Sequence, residues 1–474
     1  MKYNLFEDFA PSSKADWIAQ VTKDLKGKSF EETLISHAAG NIEIQPFYTQ
    51  EDIAQALPLE PIHHRVNPIS EIPGLSPRRW ANTVRIRPLN EKEANARILH
   101  ALQMGADGLV LALTGEEDLE VLLHEVQPAY IQLYLEPQGD PLGLFTKFLT
   151  WLKAAELDLN QVYGGLLWDP ATVFLKTVQE KSKLMATAKE LMKAGKELPE
   201  FKVLAIDAAH YHHAGANAVQ ELAFGIGALI DLNDELTEGG YTASAIFDKL
   251  LFTTGVGSDF FLEISKVKVL RLMIHQLCEL YGMDVSAAHI TIYAQTSYWT
   301  KAGKDLDTNM LRNTTEAMAA ILGGCNALEI LPHDFSDGLD NDFSARMARN
   351  ISNILKEESY LDKVIDPVSG TYFLEKFSGE LFEQVKSKLE KLEADGGWWI
   401  AAEQGRLQQE VKEERKVKQA LVRDGVQVKV GLNKYPNPKE SSARLLQEQT
   451  ETAALQLLWS RDSLLWETQN SEKS

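Results

Sequence analysis

With 474 residues, 44% hydrophobic and 24% charged, the chain can bury a substantial core, which excludes disordered, collagenous and disulfide-scaffold classes. Length by itself allows about three domains, or one large barrel with appendages. Lysine and arginine number 48 against 68 acids, a net charge of −20, so a nucleic-acid partner is not expected.

The opening MKYNLFEDFAPSSKADW carries early acids and no apolar run, so it does not read as a signal peptide. No stretch approaches the roughly 18 apolar residues of a membrane span. Cys278 and Cys325 stand far apart with no metal-ligand spacing, as in a reducing compartment. A cytoplasmic protein without membrane contact is expected.

Residues 1–85 read as an extended arm and linker, studded with Pro58, Pro61, Pro68, Pro73 and Pro77. From about residue 90 helix and apolar strand alternate. Apolar runs near 108–113, 129–135, 163–168, 202–207, 249–253, 288–294, 326–331 and 370–374 predict eight strands. Continuous apolar runs suit buried parallel strands, and eight βα units over roughly 270 residues suit a (β/α)₈ TIM barrel over residues 86–376. A doubly wound open sheet would show fewer strands and a glycine-rich first turn. Residues 377–474 read as a C-terminal helical extension, broken at Gly396 and Gly397.

AHYHHAGA places His210, His212 and His213 just past the carboxyl end of the fourth predicted strand, the face on which barrels carry their active sites. A proton donor or substrate contact there is one reading. A metal site is another, disfavoured by the absence of an i, i+4 pair or an acid at a familiar offset. Spacing alone favours a third, in which one histidine is buried and bonded and the others lie at the surface. Gln295, Thr296 and Ser297 end the sixth predicted strand and suit either ligand contacts or capping. His333 and Asp334 are adjacent in sequence, which does not make them a catalytic pair, and no GxSxG is present.

AIDAAHYHHAGANAVQELAFGIGALIDL, LLFTTGVGSDFFLEISKVKVLRLM, YAQTSYWT, NMLRNTTEAMAAILGGCNAL and ARMARNISNILKEESYLDKVIDPVSGTYFLEKF, in that order, resemble methylmalonyl-CoA mutases over nearly the whole chain. The resemblance is nearest to the small, non-cobalamin-binding subunits. It implies an acyl-CoA isomerase complex that interconverts methylmalonyl-CoA and succinyl-CoA. Adenosylcobalamin would reside in a homologous large subunit, and no cofactor or metal would be bound by this chain. The family's cobalt-ligating DxHxxG is absent, and residues 375–474 are fewer than the ~130 a flavodoxin-like cobalamin domain needs, so no such domain is expected.

By the same resemblance His210 matches the family's active-site histidine, and Gln295, Thr296 and Ser297 match its QTS. Ala209 stands where catalytic chains have tyrosine, Trp168 in place of a substrate-binding glutamine, and Val178 in place of a carboxylate-binding arginine. Tyr298 replaces a glycine, and SPRRWANTVRI replaces an aromatic arm segment. A missing arginine removes a bidentate partner for an anionic carboxylate. The resemblance therefore implies a structural or regulatory subunit, inactive in isolation. Two alternatives stay open: a barrel with its own acyl-CoA binding and chemistry, or a subunit for another branched acyl-CoA.

Overall fold

The computed structural model describes residues 12–38, 42–53, 76–284, 290–335, 341–437 and 450–471. Pro58, Pro61, Pro68 and Pro73 of the expected arm lie outside them, as do residues 438–449 of the expected tail. β1 (Ser36–Ala38) and β2 (Ile42–Ile44) form a small antiparallel pair. A second sheet is wholly parallel. Its strands are β3 (Ala81–Ile86), β4 (Gly108–Leu113), β5 (Gln132–Pro137), β6 (Gly164–Leu166), β7 (Phe201–Lys202), β8 (Leu204–Asp207), β9 (Leu250–Val256), β10 (Thr291–Thr296) and β11 (Ala327–Glu329).

The spatial order is β7-β6-β5-β4-β3-β11-β10-β9-β8. Only Val203 separates β7 from β8, so the two act as one bent strand. β7 pairs with β6 while β8 pairs with β9, bringing an eight-membered ring nearly to closure. Helices intervene between the strands, as right-handed βα units require. The expected α/β barrel is present, without a separate cobalamin domain among the described residues.

The expected strands are out of frame by one. β3 falls inside the segment expected to be arm, across the boundary drawn at residue 85, because Asn82 and Arg85 break its apolar run. Both polar side chains have internal partners: Asn82 Nδ2 donates to the carbonyls of Gly105 and Arg349, and Arg85 reaches into the barrel mouth. Conversely, the strand expected at 370–374 is the start of the helix Tyr372–Ala394. Its Phe373, Phe377 and Leu381 recur every four residues, which is a helix face rather than strand alternation.

Inside the ring, Ala81, Val110, Tyr134, Ala205, Leu251, Tyr293 and Ala327 form one buried cluster. Tyr134 and Tyr293 meet edge-on with centroids 4.9 Å apart. A Cβ on Gly165 would stand 2.4 Å from Leu251 Cδ2, so glycine at that position makes room for leucine across the ring. These buried side chains, from alanine to tyrosine in size, fill the barrel axis below the mouth.

The expected helical extension folds back on the barrel. The helix Tyr372–Ala394 ends where Gly396 and Gly397 adopt φ of 102° and 84°, and Gly397–Glu403 follows. Trp398 is fully buried and donates Nε1–H to Tyr211 Oη at 2.7 Å. Nearby, burial and the charges of Asp231 and Asp234 push the Glu393 carboxyl up to about 7.

Because that value lies above the unfolded one, ionisation of Glu393 is disfavoured in the fold. The cost is absent below about pH 4.5 and fully present above about pH 7. Glu393→Gln is expected to raise stability at pH 8.5 by about 1 kcal/mol, after discounting for partial exposure, and to change nothing at pH 4. Urea unfolding at the two pH values checks this. An equal gain at both would rule out carboxyl titration as the cause.

Candidate active-site face at the barrel mouth

Strand side chains alternate between lumen and helix layer. At the carboxyl ends this puts Arg85, Glu136, Asp207, Thr253, Gln295 and Glu329 on the inner side, where barrel enzymes hold their chemistry. A cavity of about 760 Å³ opens there, lined among others by Arg85, Trp168, Asp169, Asp207, Gln295 and Trp459.

The charges at the ends of β3, β5 and β11 are paired with one another. Glu329 accepts from Arg85 Nε at 2.6 Å, from Tyr293 Oη at 2.6 Å and from Gln295 Nε2 at 2.6 Å. Burial by itself would raise the Glu329 carboxyl, but Arg85 and the hydrogen bonds hold it below its ordinary value. Arg85 also pairs with Glu136. With both carboxylates engaged, Arg85 is not available as a bidentate partner for a substrate carboxylate. Val178 sits at the end of the helix Pro170–Thr177, with φ of 55°.

Beside this network lies a carboxylate pair. The Asp207 backbone N–H donates to Asp169 Oδ2 at 3.1 Å, and Thr253 Oγ1 donates to Asp207 Oδ1 at 2.6 Å. Burial and the neighbouring Asp207 push Asp169 up to about 6. Beside Asp169 and Asp207 a substrate carboxylate would meet like charge, while Arg87, Lys176 and Lys183 line other parts of the same cavity.

All three histidines of the helix Ala208–His213 are buried, so the expectation that two would lie at the surface is corrected. Their rings go to separate partners. His210 Nε2 lies 2.8 Å from the Leu457 carbonyl and its Nδ1 accepts from Trp459 Nε1 at 3.1 Å, which fixes the neutral Nε2–H tautomer. Burial, helped by the Lys176 charge, drives His210 down to about 3. His213 Nε2 lies 2.7 Å from Gln295 Oε1 and its Nδ1 accepts from the Tyr298 N–H, and burial holds it well below its usual range. His212 Nε2 lies 2.8 Å from Ser297 Oγ, while its Nδ1 faces Glu221 at 3.4 Å. A Cβ on Gly255 would come within 2.4 Å of the His212 ring, so glycine is required there. With every ring nitrogen occupied by the protein, these histidines do not fit the role of corrinoid ligand.

Of the remaining sequence candidates, Gln295 lines the cavity. Thr296 Oγ1 accepts from the Leu331 N–H, and Ser297 Oγ also accepts from the Thr300 N–H, so both are buried structural groups. Trp168 and Ala209 line the cavity, and the Tyr298 ring packs 5.6 Å from Trp459. His333 Nε2 lies 3.6 Å from Asp307 rather than pairing with Asp334.

A profile of the family described as "Methylmalonyl-CoA mutase" matches residues 100–459. The chain belongs to the methylmalonyl-CoA mutase family. It is 31% identical to the methylmalonyl-CoA mutase small subunit of Porphyromonas gingivalis, over 92% of this chain and 72% of that protein. Similarity to the Streptomyces virginiae small subunit is 28% identity over 87% of this chain and 68% of that protein. The Escherichia coli methylmalonyl-CoA mutase is 24% identical over 92% of this chain, which spans 66% of its length. These relatives are thus isomerases of one family, two of them named as small subunits.

Arg85, Glu136, Asp169, Asp207, Glu329 and Trp459 line the mouth without having been candidates from local sequence pattern. Recognising ANTVRI as a strand would have exposed Arg85, since alternation from Ala81 puts residues 81, 83 and 85 on one side. Trp459 had no local signal, because its place depends on how the distant chain end returns to the barrel.

Proposed function

We propose that this chain is the small, non-cobalamin-binding subunit of a heterodimeric adenosylcobalamin-dependent mutase that interconverts methylmalonyl-CoA and succinyl-CoA. The coenzyme and the chemistry belong to a homologous large subunit. The observation carrying this reading is the state of His210, neutral and buried, with its Nε2–H given to the Leu457 carbonyl and its Nδ1 taken by the Trp459 indole, which leaves neither ring nitrogen free for a substrate. The packed axis, the engaged Arg85 and the Asp169–Asp207 pair support it. The chain's contribution is then mass action on the partner's folded state, the stabilisation any ligand of a native state confers.

We read residues 1–85 as arm and linker, with the first barrel strand reaching back to Ala81, residues 86–376 as the barrel and residues 377–474 as the extension. Buried, unpaired Cys278 and Cys325 support a cytoplasmic setting, and a place in propionate metabolism rests on the mutase assignment.

Co-expression with a cobalamin-binding homologue, followed by native mass spectrometry, tests the assignment. A one-to-one complex is expected, with corrinoid absorbance confined to the large chain. Calorimetry of this chain alone with methylmalonyl-CoA is expected to show no binding at millimolar ligand. Full activity and unchanged thermal stability of the large chain without this one would sink the proposal.

A further inference from the structure

Residues 450–463 run across the barrel mouth. The Gln456 side chain and the Leu457 N–H donate to the carbonyls of Lys176 and Leu175, in the helix after β6. The Ser460 N–H donates to the His213 carbonyl after β8, and the Asp462 N–H to the Trp299 carbonyl after β10. Between these points Leu457 offers its carbonyl, and Trp459 its indole N–H, to the two nitrogens of His210. The Trp459 ring also packs 4.4 Å from His213. This segment thus supplies His210 with the acceptor and donor that a bound ligand would supply.

Its two ends are held unequally. On the carboxyl side the pairs are buried: Lys429 with Asp462 at 2.5 Å and Arg461 with Glu467 at 2.8 Å, where Glu467 also accepts the Gly303 N–H. On the amino side the clasp is Glu451, paired with Lys412 at 2.8 Å and Arg415 at 3.2 Å and accepting the Leu458 N–H at 3.0 Å. That clasp is partly exposed, so solvent screening weakens it relative to the buried pairs. Opening by local unfolding starts at the less protected end.

We propose that residues 451–459 form a lid, hinged at Ser460 and Arg461 and clasped by Glu451, that occupies the barrel mouth as an internal ligand of His210. The closed lid keeps this barrel inert whatever acyl-CoA its complex turns over, so the lid stands apart from the mutase assignment.

Hydrogen–deuterium exchange at histidine C2–H, read by peptide mass spectrometry on the full chain, tests it. In the native chain His210 is expected to exchange at least ~10-fold more slowly than exposed His124. Glu451→Gln, which touches no part of His210, is expected to accelerate His210 at least ~5-fold. Buried His275, remote from the lid in the helix Phe260–Leu280, is expected to stay unchanged. Trp459→Phe keeps the ring and removes the indole donor, and is expected to shift the His210 titration midpoint upward by imidazole NMR. The proposal is overturned if native His210 exchanges as fast as His124. It is equally overturned if Glu451→Gln speeds His210 and His275 alike, or if neither variant changes His210.

Discussion

Replacing Glu221 by alanine is expected to cost about 3–5 kcal/mol, because it strands the fully buried Lys266 charge. Glu221 and Lys266 are both fully buried and pair at 2.6 Å. Glu221 Oε1 also accepts from Thr254 Oγ1 at 2.7 Å and from the Gly255 N–H at 3.1 Å. Lys266 further meets Glu263 at 2.6 Å, but burial pushes the Glu263 carboxyl up, so it is a poorer anion to rely on once Glu221 is gone. Burial would raise Glu221 as well, yet the Lys266 charge and His212 hold it far below its ordinary value.

The sign follows. A depressed carboxyl contributes stability above its unfolded value near pH 4.5, and that stability is lost as the pH falls further. Urea unfolding at pH 7 checks the cost, and a native chain that weakens steeply below pH 4.5 checks the titration. The double variant Glu221→Met with Lys266→Leu removes both charges, and is expected to recover at least about half the loss. A single variant within ~1 kcal/mol of the native chain would show that the pair is not an interdependent unit.

The second large effect lies in the backbone. Gly164→Ala is expected to cost more than about 4 kcal/mol or to prevent soluble expression. Gly164 has φ of 124°, outside the range alanine tolerates, and its added Cβ would stand 1.9 Å from the Leu133 carbonyl oxygen. Leu133 pairs with Gly164 across β5 and β6, and Gly164 pairs with Phe201 of β7, so β6 has no direction in which to yield. The clash therefore strikes at barrel closure. Gly379→Ala is the matched control, since it sits in the helix Tyr372–Ala394 with nothing within 4 Å of the new Cβ. It is expected to be neutral or to gain up to ~1 kcal/mol. Soluble yield and thermal midpoint separate the two, and near-native values for Gly164→Ala would contradict the closure geometry.

The first effect bears on the mouth. Glu221 sits behind His212, and His212 holds Ser297, so the ion pair fixes the wall from which His210 and His213 project. The histidine wall of the mouth is thus held from behind by the Glu221–Lys266 pair.

Patterns local in the chain determined the fold class. Apolar runs such as GLVLAL and LLFTTGV, spaced by helical segments, require a buried parallel sheet wherever they pair, so the barrel was legible. The helix break at Gly396 and Gly397 was legible for the same reason: glycine supplies the left-handed turn without help from elsewhere. Strand identity was less so. ANTVRI hides a strand because its polar residues find partners inside the ring, whereas TYFLEK suggests a strand until its four-residue spacing is followed onward.

The state of the histidines was decided by tertiary structure alone. AHYHHAGA is the same sequence whether His210 meets a substrate or the Leu457 carbonyl. A hydrogen bond spanning 247 residues leaves no trace in local composition or period. Only the folded chain shows that His210 is covered by the chain's own carboxyl-terminal segment, because ring protonation depends on what lies within a few ångströms of each nitrogen.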